Sequence, residues 1–174
     1  MLKQLSEENF EAFYSILENS FPPTERRTKA GQKALFSEPK YKIFGIFNAD
    51  ELAAFIAVWE FKEFAFVEHF AVASKHRNKG LGGSILKELS KQINKTLVLE
   101  VEPPKTDIAA RRIEFYKRNG FYFNNYDYTQ PSMAVGQPSI PLRIMSFSRP
   151  LSQAEFVQVK DTLYSGVYKV NFDL

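Results

Sequence analysis

The chain has 174 residues, 44% hydrophobic and 25% charged, a globular composition of ordinary single-domain size and large enough to bury a real core. It has no cysteine, which excludes disulfides, thiolate nucleophiles and cysteine-ligated zinc or iron-sulfur sites and leaves catalysis to oxygen and nitrogen groups. The net charge is only +3, with the basic residues spread among 20 acidic ones, so a general nucleic-acid surface is not expected, whereas a small anionic ligand is compatible.

The amino terminus, MLKQLSEENFEAFY, is charged where a signal peptide needs an apolar core, and no apolar run is long enough to span a bilayer. A soluble, cytoplasmic protein without a membrane partner is the expectation. The stretch SEENFEAFYSILENSF brings Phe10, Phe13, Tyr14, Ile16, Leu17 and Phe21 near one helical face, with Ser6 as cap and Glu7 and Glu8 in the first turn. Asn9 stands where a full capping box wants Glu or Gln. Pro22 and Pro23 stop that helix, and PTERRTKAGQKALF predicts a short second one broken at Gly31. From Tyr41 the period changes to that of strands. YKIFGIFN and LAAFIAVWEF, around an Ala49-Asp50-Glu51 turn, predict an antiparallel pair, and FAFVEHFAVA a third strand buried on both faces. A glycine-rich segment then leads into a helix with Leu81, Ile85, Leu86, Leu89 and Ile93 inward. Strand TLVLEVE, helix TDIAARRIEFYKRNG, stopped at Asn119-Gly120, and strand FYFNNYDY follow. Residues 129 to 141, with three prolines and a glycine, read as a long loop before the strand LRIMSFS, and SQAEFVQVKDTLYSGVY as a terminal helix. No internal repeat or linker divides the chain, so one domain spanning residues 1–174 is expected.

The glycine segment, HRNKGLGGSILKEL, carries the chemistry. A helix amino terminus has unpaired N–H groups and a partial positive charge, and glycines ahead of it let phosphate oxygens approach without a β-carbon in the way. Arg77 and Lys79 add full charges. The alternative is a tight strand-to-helix turn that binds nothing. The spacing of a P-loop is missing, because Ser84 follows Gly83 without the lysine, and the G-x-G-x-x-G dinucleotide fingerprint fails after Gly82.

Arg77-Asn78-Lys79-Gly80-Leu81-Gly82, after the strand Val67-Glu68-His69-Phe70-Ala71-Val72, resembles the acyl-CoA signature of the GNAT superfamily of N-acetyltransferases. Arg112 to Phe121 resembles that superfamily's second motif, in which a tyrosine four residues before Gly-Phe, here Tyr116, lies near the CoA sulfur. The resemblance covers residues 41 to 128, the cofactor-binding core, and implies an α/β fold with a central mixed, mostly antiparallel sheet and flanking helices. The asparagine that many members carry early in the second motif's helix has no counterpart in Ile108-Ala109-Ala110-Arg111-Arg112.

The resemblance also implies a reaction: direct attack of a primary amine, from a small molecule or a peptide, on the acetyl group of acetyl-CoA, with no metal. Backbone groups of Phe70, Ala71 and Val72 would receive the pantetheine arm as an added strand. Arg77, Asn78, Lys79, Gly80, Leu81, Gly82, Gly83 and Ser84 would hold the pyrophosphate. An alkylammonium with a pKa near ~10 must lose a proton, and Glu68 is the first candidate base, with Glu100, Glu102 or water as alternatives. Strand alternation points His69 to the face opposite Glu68. Tyr116 would protonate the departing thiolate. Tyr122, Tyr126, Tyr128 and the loop 129 to 141 would border the acceptor, in a monomer or a homodimer. A CoA-binding module without turnover would keep the glycine loop and leave Glu68 and Tyr116 idle.

Overall fold

A computed structural model describes residues 1–169, which fall into two compact units, Met1–Lys95 and a second starting at Thr96. Each carries antiparallel strands with helices against them. Among the described residues no helix is long and apolar enough to cross a membrane.

The first unit opens with a two-residue strand that the periodicity does not announce, β1 (Lys3–Gln4). A 3-10 turn at Glu7–Asn9 leads into α1 (Phe10–Ser20). Asn9 fills the capping position after all: its Oδ1 accepts from the Ser6 backbone N–H at 3.1 Å. Gly31 does not break the next helix. It lies in the first turn of α2 (Lys29–Ala34), where its N–H donates to the Thr28 hydroxyl that caps the helix, at 3.1 Å. β2 (Tyr41–Asn48), β3 (Glu51–Glu60) and β4 (Phe64–Val72) follow, and the order β1-β2-β3-β4 is antiparallel throughout. The turn between β2 and β3 is shorter than expected: Glu51 already pairs with Asn48, and Ala49 takes the left-handed conformation (φ 52°). Helix α1 packs on β3 and β4, its Phe13 ring edge-on to Phe55 at 4.7 Å, and both rings are fully buried. The last helix of this unit, α3 (Leu81–Gln92), buries Ile85, Leu86 and Leu89 as its periodicity predicts.

The second unit orders its strands β5 (Thr96–Val101), β7 (Ile140–Phe147) and β6 (Phe121–Gln130), again antiparallel. The expected loop from 129 to 141 is trimmed at both ends, because Gln130 pairs with Ile140 and Thr129 with Pro141. Proline is tolerated there, at the start of a strand. α4 (Asp107–Arg118) packs on β5 and β6, and α5 (Gln153–Gly166) on β6. The sequence writes the ends of both helices. Thr106 caps α4 through the Ala109 N–H at 3.1 Å, and Ser152 and Glu155 form a reciprocal box on α5 at 2.8 and 3.3 Å.

Candidate active site

Between β4 and α3 the chain makes a single turn of 3-10 helix, Ser74–His76, and then two left-handed residues, Asn78 (φ 61°) and Gly80 (φ 76°). A β-carbon at Gly80 would meet nothing within 4 Å, so glycine is required there by its backbone angle and the space beside it stays open. The first intrahelical bond of α3 runs from the Ser84 N–H to the Gly80 carbonyl at 3.2 Å. The N–H groups of Leu81, Gly82 and Gly83 precede it and have no carbonyl one turn back. The first turn of α3 holds no acidic residue, so its positive dipole end is not neutralised locally. Arg77 is anchored by its Nε, which donates to the Val72 carbonyl at 3.0 Å. Among the described residues, neither Arg77 nor Lys79 has a carboxylate partner. The cradle fits an anionic diphosphate: open space, backbone donors and two uncommitted cations at one helix end.

The strand leading into the cradle departs from regular alternation. His69 pairs with Ala57 and Val67 with Val58, so Glu68 is the extra residue of a β-bulge. The expectation that Glu68 and His69 face opposite sides therefore fails: the bulge turns both side chains into the same buried space, Glu68 Oε2 lying 3.5 Å from His69 Nδ1. The Arg27 guanidinium pairs with Glu68 at 2.8 Å and lies over the Trp59 ring at 5.9 Å. His69 Nε2 donates to the Glu25 carbonyl at 2.7 Å under the edge of Phe21. Burial pushes the Glu68 carboxyl up, but the Arg27 charge and the contacts of His69 outweigh it and hold the group well below the usual carboxylate range. The Glu68 side chain is 2% exposed although the residue as a whole is half-buried, so its accessible atoms are main-chain. Phe70, Ala71 and Val72 continue the strand, paired with Ile56, Phe55 and Ala54.

In the second unit, Tyr116 sits on the last turn of α4 with its ring between Phe115 (5.3 Å) and Phe121 (5.6 Å). Its hydroxyl makes no hydrogen bond among the described residues. Burial raises its pKa to about 12, opposed by the Arg112 charge one turn back, so the phenol keeps its proton throughout the physiological range. Gly120 ends the helix at φ 88°. A β-carbon there would lie 2.9 Å from the Phe147 ring, and its carbonyl accepts from the Ser148 N–H at 2.9 Å. Arg112 reaches Glu102 at 3.0 Å, an exposed pair worth at most about 1 kcal/mol.

Glu100 has a different setting. Its carboxylate accepts from the Tyr128 hydroxyl and, at 2.9 and 2.8 Å, from that of Tyr168. Burial and the Glu100 charge drive the Tyr128 pKa far up, which keeps that phenol a donor. The three tyrosines grouped by sequence part company here. Tyr128 serves Glu100, Tyr126 stacks on Phe156 at 4.7 Å and donates to the Leu151 carbonyl, and Tyr122 is exposed. Sequence reasoning passed over Tyr168, whose partner Glu100 lies 68 positions away in the chain.

A sequence model described as the Acetyltransferase (GNAT) family matches residues 4–121. Among solved structures, a protein from Bacteroides thetaiotaomicron described as an acetyltransferase of the GNAT family superposes with a TM-score of 0.91 at 30% identity, covering 98% of this chain and 99% of that one. The ribosomal-protein-S18-alanine N-acetyltransferase of Escherichia coli shares the fold at a TM-score of 0.65 and 20% identity, over 87% and 95% of the two chains. A point variant of the spermidine N-acetyltransferase of Vibrio cholerae does so at 0.63 and 14%, over 84% and 94%. Among curated proteins no match is found.

Proposed function

The chain belongs to the acetyltransferase (GNAT) family, and on that footing we propose that it moves the acetyl group of acetyl-CoA onto a primary amine of a small molecule or a peptide. One observation carries this reading: a left-handed, unobstructed Gly80 at the entrance of a helix whose first turn has free N–H groups, no acid, and Arg77 and Lys79 beside it. Bound acetyl-CoA supplies the thioester carbonyl that the amine attacks. The N–H groups of Leu81, Gly82 and Gly83, with Asn78 and Ser84 at the rim, hold the diphosphate, and Arg77 and Lys79 assist by charge. The main chain of Phe70, Ala71 and Val72 receives the amide-bearing arm as strand addition. Tyr116 donates its proton to the leaving thiolate sulfur, whose conjugate acid has a pKa near ~8.5; with the phenol at about 12 this only assists a group that departs readily, and the phenolate regains its proton from water.

Glu68, the first candidate base, is already committed to Arg27, and a carboxylate with so low a pKa is a weak proton acceptor. Glu102 is paired with Arg112, and Glu100 with two phenols. We therefore assign the amine's proton to solvent water, with the acceptor entering as its free base.

Thiol release from acetyl-CoA, followed with a panel of amines, tests this reading. With an alkylamine, log kcat/KM rises with a slope of one as pH increases toward the amine's pKa near ~10. Because the Tyr116 pKa lies at about 12, no descending limb appears before the rise levels off. A wild-type protein that releases no thiol with any amine contradicts the proposal. So does a bell with its fall below pH 9.

A further inference from the structure

The network around the β4 bulge has no part in the bond-making steps above, yet it joins the segment after α1 to the strand that leads into the cradle. A stretch of seven residues puts three contacts on two consecutive residues of the strand. The Phe21 ring meets His69 at 4.7 Å, the Glu25 carbonyl accepts from His69 Nε2 at 2.7 Å, and Arg27 Nη2 pairs with Glu68 Oε1 at 2.8 Å. Both ends of the ion pair are withdrawn from water, Arg27 with 14% of its side chain exposed and Glu68 with 2%. A buried pair of this kind contributes little net stability against apolar residues of equal volume, but losing one member strands the other charge, so it acts as an all-or-none tie. A bulge interrupts the ladder and leaves the local backbone free to change direction, and here side chains take over what the missing ladder bonds do not fix. Two residues further along the same strand lie the main-chain groups of Phe70, Ala71 and Val72.

We propose that Arg27 is a positioning residue for acetyl transfer: through Glu68, with His69 and Glu25 beside it, it clamps residues 21 to 27 onto the bulge of β4 and so sets the direction in which Phe70–Val72 meets the pantetheine arm. The proposal rests on the acetyl-transfer reading above. Arginine suits the role because its guanidinium pairs with the carboxylate while its planar face lies over the Trp59 ring, which a lysine cannot do together.

The test is steady-state kinetics on the full chain, varying acetyl-CoA at a saturating concentration of an amine that the wild type accepts. The variants are Arg27→Lys, Arg27→Met, Glu68→Gln and the double variant Arg27→Met with Glu68→Leu. Each single change raises KM for acetyl-CoA about tenfold, the worth of one backbone hydrogen bond, with kcat moved by less than about threefold. The double variant strands no charge but lacks the tie as well, so its KM stays raised; recovery to the wild-type KM would assign the loss to a stranded charge and overturn the clamp. An unchanged KM in all variants overturns the clamp. So does a kcat that falls a hundredfold or more in Glu68→Gln and stays low in the double variant, because that pattern belongs to a proton acceptor. If Arg27→Met does not fold, Arg27→Lys keeps the charge and reads the same KM. A wild type that binds acetyl-CoA but turns nothing over removes the acetyl-transfer reading alone. The clamp is then read from calorimetric Kd, with the same tenfold rise expected and an unchanged Kd against it.

Discussion

Replacing Tyr116 by Phe lowers kcat for acetyl transfer about a hundredfold and leaves Kd for acetyl-CoA within about twofold, measured by thiol release and calorimetry. The change deletes one oxygen and keeps the ring contacts with Phe115 and Phe121, so the packing of α4 survives. The size lies at the lower end for general acids because a thiolate leaves more readily than an alkoxide or an amide anion. The hydroxyl is suited to the task by two features. It has no hydrogen-bond partner among the described residues to compete for its proton, and burial raises its pKa to about 12, which keeps the acid form present wherever the amine is reactive while making it a weaker acid, a further reason for the modest size. An effect on KM for acetyl-CoA equal to that on kcat would mean that Tyr116 holds the cofactor and does not act on the leaving sulfur.

Removing both loop cations, Arg77→Ala with Lys79→Ala, weakens acetyl-CoA binding about a hundredfold. Hydrogen bonds to charged groups are worth ~1.5–3 kcal/mol each, and both residues are exposed, so solvent screening places each contribution at the low end. Folding is little affected. Among the described residues Lys79 makes no hydrogen bond or ion pair, and Arg77 gives up a single bond to the Val72 carbonyl, worth about 1 kcal/mol. Binding to the wild type weakens as salt rises, and the variant loses most of that dependence. Calorimetric titrations at two ionic strengths check both statements; equal affinities in wild type and variant would take the diphosphate out of the loop.

How far these expectations were written in the sequence differs between elements for physical reasons. Strands β2 to β4 and helices α3 and α4 follow from periodicity, which neighbouring residues determine. The glycine turn ahead of α3 was legible as a turn, but the left-handed angles of Asn78 and Gly80 within it were not. Nor was the bulge at Glu68. A bulge belongs to two strands at once, here the register of β4 against β3, and FAFVEHFAVA read alone gives strict alternation and the wrong face for His69. The Arg27 pair and the Tyr168 contact to Glu100 were hidden for a related reason, since they join residues 41 and 68 positions apart and leave no local signature. Gly31 shows the opposite error: a weak helix former was read as a break, while the Thr28 cap held the turn together.

The most direct test of the account compares two ligands on the wild-type protein by calorimetry, acetyl-CoA and acetyl-pantetheine, which share the thioester and the amide-bearing arm and differ in the diphosphate nucleotide. If the loop from Arg77 to Ser84 is the diphosphate cradle, acetyl-CoA binds at least about a hundredfold more tightly, and Arg77→Ala with Lys79→Ala removes most of that advantage. Equal affinities for the two ligands, or an advantage untouched by the loop substitutions, would contradict it.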